Sequence, residues 1–179
     1  MSFSDSDLIT RVLLEDDRNA FGELVRRYQS EVRNFLRRLT KTDVGLADDL
    51  AQETFVKAYG SINKFRGQAK FSSWLYRIAY NTFLNDRRKR RDTLTSDGEL
   101  DHIVDDAKPL PKGLVCDVEQ ALAQLNPEVS AVFDLYYKKG MTHSEAADTL
   151  GIPLGTVKTH LARGKEQLRT LLKDWNNDG

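Results

Sequence analysis

The chain has 179 residues, of which 40% are hydrophobic and 30% charged, enough to build one large globular domain or two small ones. No apolar run approaches the roughly 18 residues that span a bilayer. The N-terminus, MSFSDSDLIT, has neither the basic nor the apolar region of a secretory signal. The single cysteine, Cys116, excludes an intrachain disulfide and a cysteine-based metal site, and favours a reducing, cytoplasmic location.

The net charge of zero conceals three blocks of different charge. Residues 1–92 contain 18 lysines and arginines against 13 acidic residues, a net charge of +5. Residues 93–117 carry a net charge of −4, and residues 118–179 a net charge of −1. A basic first block, an acidic middle and a mixed end indicate different tasks along one chain.

Two amphipathic helices are predicted near the N-terminus. The first begins after a capping serine, Ser4 or Ser6. In the second, apolar residues recur at helical spacing through residues 21–39, and five arginines lie on the opposite face. We interpret those arginines as solvated and locally paired with Glu23 and Glu31.

A third helix is predicted over residues 46–62, after the turn marked by Asp43 and Gly45. Leucine, alanine and threonine form its apolar stripe, and the opposite face is acidic, with Asp48 and Asp49 adjacent. Two interpretations stay open for these acids: they complement the helix dipole, or they form a docking patch for a basic partner.

The loop over residues 63–70, NKFRGQAK, precedes a long predicted helix, FSSWLYRIAYNTFLNDRRKRR, which contains neither glycine nor proline. One face of that helix is apolar and is predicted to be core. The other face mixes aromatics, an amide and arginines: Tyr76, Arg77, Tyr80, Asn81, Leu84, Arg87, Arg88 and Arg91. Such a face can stack on bases and neutralise phosphates, although a solvated basic helix end is an equally good interpretation of the helix alone.

After Asp92 the helical pattern stops, and an acidic stretch with the first prolines of the chain follows. We predict a mobile linker over residues 93–117, which is longer than connections inside compact domains usually are. A second domain then begins near Val118, with one helix ending before Asn126-Pro127 and the next closing at Gly140.

A helix-turn-helix unit is predicted over residues 142–161. Thr142 and Glu145 form a capping box, a short helix ends at Gly151, and a second helix begins after Pro153. Small Ala147 lets the two helices cross closely, Gly151 permits a positive φ in the turn, and a branched apolar residue follows in the second helix. The second helix of such a unit enters the major groove of DNA by its N-terminal part.

Four stretches carry a resemblance that covers nearly the whole chain: AFGELVRRYQ, DDLAQETFVKAY, FRGQAKFSSWLYRIAYN and GIPLGTVKTHLARGKEQLR. In order and spacing the chain resembles bacterial sigma factors of the extracytoplasmic-function group of the sigma-70 family. The resemblance implies an all-α fold of two small domains: a sigma-2-like helical bundle over 1–92, a flexible acidic linker over 93–117, and a sigma-4-like helix-turn-helix domain over 118–179.

The resemblance also implies three binding surfaces. The third helix is similar to the segment that docks on core RNA polymerase, through Asp48, Asp49, Gln52, Glu53, Phe55 and Lys57. The loop and long helix are similar to the part that melts and recognises the −10 element, through Asn63, Lys64, Phe65, Arg66, Phe71, Trp74, Arg77, Tyr80, Asn81, Arg87 and Arg88. The second helix of the helix-turn-helix is similar to the part that recognises the −35 element, through Thr156, Lys158, Thr159, His160, Arg163 and Lys165.

The implied partners are core RNA polymerase, bound at its β′ clamp and β flap, and promoter DNA. Family members are commonly held inactive by an anti-sigma protein, often membrane-anchored. The resemblance implies a monomer when free, with no catalysis, cofactor, metal or small-molecule substrate of its own. One departure is Gly164, which costs roughly 1 kcal/mol relative to alanine if it is exposed in mid-helix.

Two other classes of protein compete with this interpretation. A dimeric helix-turn-helix repressor or activator accounts for residues 118–179 but leaves the aromatic and basic long helix unexplained. A metal-dependent nucleic-acid enzyme is disfavoured because His102, His143 and His160 form no ligand cluster. Asp48 and Asp49 diverge by about 100° on a helix and make a poor metal pair.

Overall fold

A computed structural model describes residues 3–41, 43–96 and 121–173. Within these ranges the chain is helical and contains no strand, which confirms the all-α prediction. The first range holds α1 (Asp5–Glu15) and α2 (Arg18–Leu39), and the second holds α3 (Val44–Ser61), a 3-10 turn (Ile62–Lys64) and α4 (Phe71–Ser96). None of the described helices is long and apolar enough to cross a membrane.

The predicted capping serine is Ser4. Its hydroxyl accepts the backbone N–H of Asp7, and the Asp7 carboxylate accepts the backbone N–H of Ser4, which makes a reciprocal capping box. Asp16 ends α1 in the left-handed region at φ 47°, and the side chain of Asp17 then caps α2. The break between the first two helices therefore consists of a left-handed residue followed by an N-cap.

The first half of the chain buries the apolar stripes that the sequence predicts. Leu24, Phe35 and Leu36 of α2 are fully buried, as are Ala47 and Ala58 of α3. Helix α3 starts two residues earlier than predicted, because the carboxylate of Asp43 caps it by accepting the backbone N–H of Leu46.

Helix α4 runs to Ser96, four residues beyond the predicted end of the helical pattern at Asp92. It packs against α2 and α3 on one side. The remainder of the predicted linker after Ser96, including Cys116, and the start of the second domain at Val118 lie outside the described residues, as does Thr42.

The second half consists of a helix that ends at Ala123, then α5 (Pro127–Phe133), a π-helical turn (Asp134–Lys138), α6 (His143–Leu150) and α7 (Leu154–Lys173). Pro127 occupies the first turn of α5, as predicted, and Asn126 caps the helix. The predicted closure at Gly140, where φ is +64°, is confirmed, but the last turn before it is π-helical rather than α-helical.

Gly164 is not exposed, so the cost expected for an exposed glycine in mid-helix does not apply. Gly164 is buried where α7 crosses α5, and a Cβ atom there would lie 2.8 Å from Val129 Cγ1 and 2.9 Å from Phe133 Cζ. Both distances are far shorter than carbon atoms tolerate, so glycine sets how closely the two helices approach.

We expect Gly164→Ala to lower the free energy of unfolding by about 1–2 kcal/mol, because overpacking against Phe133 outweighs the helix propensity that alanine adds. Gly60→Ala is the matched control, since a Cβ atom at Gly60 in α3 would meet nothing within 4 Å, and this change should raise stability by about 0.5–1 kcal/mol. Urea unfolding followed by circular dichroism measures both. Equal stabilisation by the two substitutions would contradict the close approach.

Candidate nucleic-acid interface

The helix-turn-helix unit has the geometry that its sequence predicts. Thr142 caps α6 by accepting the backbone N–H of Glu145, whose carboxylate accepts the backbone N–H of Thr142. The backbone N–H and the hydroxyl of Thr142 both donate to the Glu145 carboxylate and lower its pKa from the ordinary value. Gly151 ends α6 at φ +67°, and Ala147 and Val157 are buried where α6 and α7 meet. The turn therefore needs glycine, and α7 is locked by an apolar residue.

Helix α7 presents a polar surface near its N-terminus. Of the residues predicted to contact the −35 element, Lys158, Thr159, Arg163 and Lys165 are exposed, and Thr156 and His160 are half-buried. Within the described residues neither Lys158 nor Arg163 forms an ion pair. Both cations are therefore available to bind phosphates or base edges. Lys165 differs from the others because its Nζ lies 5.9 Å from the ring centroid of Tyr137.

An aromatic cluster joins the loop after α3 to the start of α4. The ring of Phe65 lies 5.6 Å from that of Phe71 and 5.4 Å from that of Trp74, centroid to centroid. Phe65 and Trp74 are half-buried, whereas Asn63, Lys64 and Arg66 around them are exposed. The loop thus combines partly accessible rings with exposed cations, a combination that suits single-stranded nucleic acid.

Two residues predicted to contact the −10 element are instead part of the core. Phe71 is 4% exposed and packs edge-on against Tyr28 at a centroid distance of 5.5 Å. Tyr80 is 3% exposed, and burial raises its pKa to about 12. Phe71 and Tyr80 can therefore support a DNA-binding surface but cannot touch DNA in this arrangement.

Tyr76, predicted on the outer face of α4, is also buried, at 2% exposure. The prediction is wrong because both halves of the chain cover this side of the helix. The ring of Tyr76 packs against Phe35 of α2 at a centroid distance of 5.3 Å, and Lys139 Nζ of the second half lies 5.3 Å from the same ring centroid. The outward positions that remain exposed on α4 are Arg77 and Asn81, followed by Arg87 and Arg88.

The basic end of α4 is partly occupied by ion pairs. Arg87 Nη1 donates to Glu128 Oε1 at 2.6 Å, and Arg90 Nε donates to Asp86 Oδ2 at 2.8 Å. Arg88 Nη2 donates to the side-chain oxygen of Asn85 at 3.2 Å. Arg87 and Arg90 are therefore each paired with a carboxylate, whereas the hydrogen-bond partner of Arg88 is a neutral amide.

The outer face of α3 holds the residues predicted to contact core polymerase. Asp49, Gln52, Glu53 and Lys57 are exposed, and Asp48 and Phe55 are half-buried. Asp48 Oδ1 lies 2.8 Å from Arg33 Nε, and Glu53 Oε1 lies 2.6 Å from Lys57 Nζ. The sequence-based prediction omits Val56, which is 72% exposed on the same helix. Val56 lies outside the apolar stripe of α3, and this position in the helical period could have indicated from the sequence that the side chain is exposed.

The arginines of α2 pair differently from the expected local pattern. Arg26 and Arg27 do bind Glu23, at 2.8 and 3.3 Å. Glu31, however, accepts hydrogen bonds from Lys139 and Tyr76, which lower its pKa from the ordinary value. At Glu31, therefore, Tyr76 of α4 and Lys139 of the second half replace the predicted local arginines.

The described residues contain no group of three or more histidine, cysteine, aspartate or glutamate side chains that could hold a metal ion. A helical bundle with an aromatic and basic helix, followed by a helix-turn-helix with an exposed polar helix face, defines a class of DNA-binding protein. Comparison with known proteins identifies the family within that class.

Two family models match the chain: Sigma-70 region 2 over residues 24–93 and Sigma-70, region 4 over residues 117–168. The chain is 32% identical to the RNA polymerase sigma-H factor of Pseudomonas aeruginosa, over 94% of each chain. It is 34% identical to the ECF RNA polymerase sigma factor SigW of Bacillus subtilis, over 88% of this chain and 91% of that one.

Two solved structures are similar over most of the chain. One is the sigma factor RpoE in complex with the anti-sigma factor NepR from Bartonella quintana, with a TM-score of 0.70 and 28% identity over 86% of this chain and 96% of that one. The other is CnrH in complex with the cytosolic domain of CnrY, with a TM-score of 0.66 and 25% identity over 95% and 97%. The chain belongs to the sigma-70 family of RNA polymerase sigma factors, in its extracytoplasmic-function group.

Proposed function

We propose that this sigma factor directs promoter-specific initiation through three surfaces: the outer face of α3, the loop and α4, and the N-terminal part of α7. The observation that carries the proposal is the helix-turn-helix, whose second helix leaves Lys158 and Arg163 exposed next to buried Val157. A basic helix face anchored by an apolar residue is what major-groove binding requires.

At the −35 element, Lys158, Thr159 and Arg163 are proposed as direct contacts, because all three are exposed in the first three turns of α7. Thr156 and His160 would contact DNA at the edge of this surface, since both are half-buried. Lys165 lies further along the helix, over the ring of Tyr137, and would serve as a phosphate contact.

At the −10 element, a flipped base is proposed to stack near Phe65 and Trp74, surrounded by the exposed residues Lys64, Arg66 and Asn81. Flipping a base costs a few kcal/mol, and stacking at about 1–3 kcal/mol per base offsets that cost. The half-buried state of the two rings supports this role, since each is held by neighbouring rings and keeps part of its surface accessible.

Core polymerase is proposed to bind α3 at Asp49, Gln52 and Glu53, with Val56 supplying exposed apolar surface within the patch. A patch of acids around an apolar residue suits a basic partner surface. The helix-turn-helix domain would contact the β flap of the polymerase. The catalytic chemistry of transcription belongs to the polymerase in this proposal, and the sigma factor supplies none.

An anti-sigma protein is the proposed regulator. Support comes from the two similar solved structures, each of a sigma factor bound to a partner: NepR, an anti-sigma factor, in one case and the cytosolic domain of CnrY in the other. A cytoplasmic, monomeric sigma factor held at the membrane by such a partner is consistent with these relatives.

Run-off transcription with purified core polymerase and this chain tests the proposal. We expect transcripts that begin at discrete promoters and that depend on added sigma factor. Tight binding of the chain alone to a palindromic duplex, without promoter-dependent transcripts, would instead identify a helix-turn-helix repressor.

Lys158→Ala should weaken promoter binding by holoenzyme and reduce the slope of log K against log salt concentration by about 1, since one phosphate contact releases about one counterion. Filter binding or fluorescence anisotropy across a potassium chloride series measures the slope. Arg26→Ala is the matched control, because Arg26 lies on α2 and pairs with Glu23. An unchanged slope for Lys158→Ala would remove this residue from the DNA surface.

Trp74→Ala should slow open-complex formation by about 10-fold or more with little change in core binding, because loss of one stacking platform costs about 1–3 kcal/mol. Permanganate footprinting of melted promoter measures the first effect, and fluorescence anisotropy with core polymerase the second.

Asp49→Arg should have the reverse effect, weakening core binding because an exposed acid on α3 becomes a cation facing a basic partner. Titration of each variant with core polymerase is the measurement. If Trp74→Ala and Asp49→Arg both lowered thermal stability alone, with normal activity per folded molecule, the proposed division of roles would be wrong.

A further inference from the structure

His160 occupies a position on α7 that differs from those of its polar neighbours. It directly precedes buried Leu161 and follows buried Val157 by three residues, so it lies at the edge of the helix face that packs inside the domain. Its side chain is half-buried, whereas Lys158 and Arg163 are exposed. The imidazole ring is therefore held by its surroundings, while the two cations can adapt their position to DNA.

One nitrogen of this ring is shielded from solvent. Nδ1 of His160 is inaccessible to water and has no hydrogen-bond partner within the described residues. A neutral imidazole carries its proton on either Nδ1 or Nε2. A proton on Nδ1 would be a buried donor without an acceptor, and orphaned N–H groups are rarer in proteins than under-satisfied acceptors. The neutral ring should therefore carry its proton on Nε2.

Nε2 lies at the outer end of the imidazole ring, further from the backbone than Nδ1. In the proposed function the N-terminal part of α7 enters the major groove, so Nε2 is the atom of His160 that can reach a base edge. With the proton on Nε2, the ring can donate one hydrogen bond to a base and can accept none.

The major groove distinguishes a donor from an acceptor. Guanine presents N7 and O6 there, which are two acceptors without a donor, whereas cytosine presents the N4 amino group, which only donates. Adenine presents one acceptor and one donor, and thymine presents an acceptor beside a methyl group. A side chain that can only donate therefore favours guanine most and cytosine least.

We propose that His160 is a specificity-determining residue of the −35 surface, which donates from Nε2 to a guanine at one position of the element. The assignment rests on the proposed function, because it requires α7 to lie in the major groove. Lys158 supplies attraction to phosphates in any sequence, whereas His160 supplies a preference among the bases.

The opposite tautomer would lead to a different preference. With the proton on Nδ1, Nε2 could only accept, and the ring would favour the amino groups of adenine and cytosine. The location of one proton thus decides which bases His160 selects, and both the proton and the selection can be measured.

The proton is located in the full-length free chain by nuclear magnetic resonance. Two-bond correlations between ring protons and ring nitrogens distinguish protonated from unprotonated nitrogens in mildly alkaline buffer, where imidazole is neutral. The chain has three histidines, and the spectrum of His160→Gln identifies the signals of His160 by their absence. We expect a proton on Nε2 and none on Nδ1. A proton on Nδ1 would overturn the assignment.

Base preference is measured with holoenzyme on duplexes that differ by single base pairs across the −35 element of a promoter active in run-off transcription. We expect one position at which guanine is bound about tenfold more tightly than cytosine, the lower end of what a good base contact supplies. His160→Ala should remove this preference and leave those at other positions unchanged. His160→Gln introduces an amide that both donates and accepts, so guanine should lose its advantage over adenine at the same position.

Gln167→Ala is the matched control, because Gln167 is an exposed residue about two turns further along the same side of α7. This change should leave every base preference as it is. A uniform loss of affinity for all duplexes in His160→Ala would indicate a structural role and overturn the assignment, as would a guanine preference that survives in both His160 variants. Either result can occur in a chain that still directs transcription from its promoter, whereas absence of promoter-dependent transcription would overturn the proposed function itself.

Discussion

The burial of Tyr76 and Tyr80 determines how the whole chain is arranged. The ring of Tyr76 packs against Phe35 of α2 and lies beside Lys139 of the second half, and both tyrosines are almost fully covered. Burying a large apolar side chain contributes roughly 1.5–3 kcal/mol, so each of these tyrosines stabilises the packing around α4 substantially. Helix α4 thereby belongs to the core of both halves.

Local features of this protein follow from its sequence because their causes lie within a few residues. The capping boxes at Ser4 and Thr142, the left-handed glycine Gly151 and the apolar stripes of α2 and α3 all depend on short-range hydrogen bonds or helical period. For the same reason the helix-turn-helix can be recognised from the residues alone.

Long-range features do not follow from the sequence in the same way. Helical period separates two faces of α4 but does not say what covers each face, so the predicted accessibility of Tyr80 is wrong. Glu31 has arginines nearby in sequence but binds Lys139, which lies 108 residues away. The sequence shows that Gly164 has a low helix propensity. The close approach of Phe133 to Gly164 depends instead on how α5 and α7 cross. Of the candidate site, the exposure of Lys158 and Asp49 agrees with the prediction, and the burial of the supporting aromatics does not.

The π-helical turn Asp134–Lys138 sets the angular register between the two halves of the chain. The backbone N–H of Lys139 donates to the carbonyl of Asp134, five residues back, so the turn contains one residue more than an α-helical hydrogen bond would enclose. One residue corresponds to about 100° of rotation on a helix. Deleting a single residue from this turn would swing Lys139 away from Glu31 while Asp134 stayed beside Arg38. A change in chain length of one residue would therefore alter how the halves associate without changing any charge.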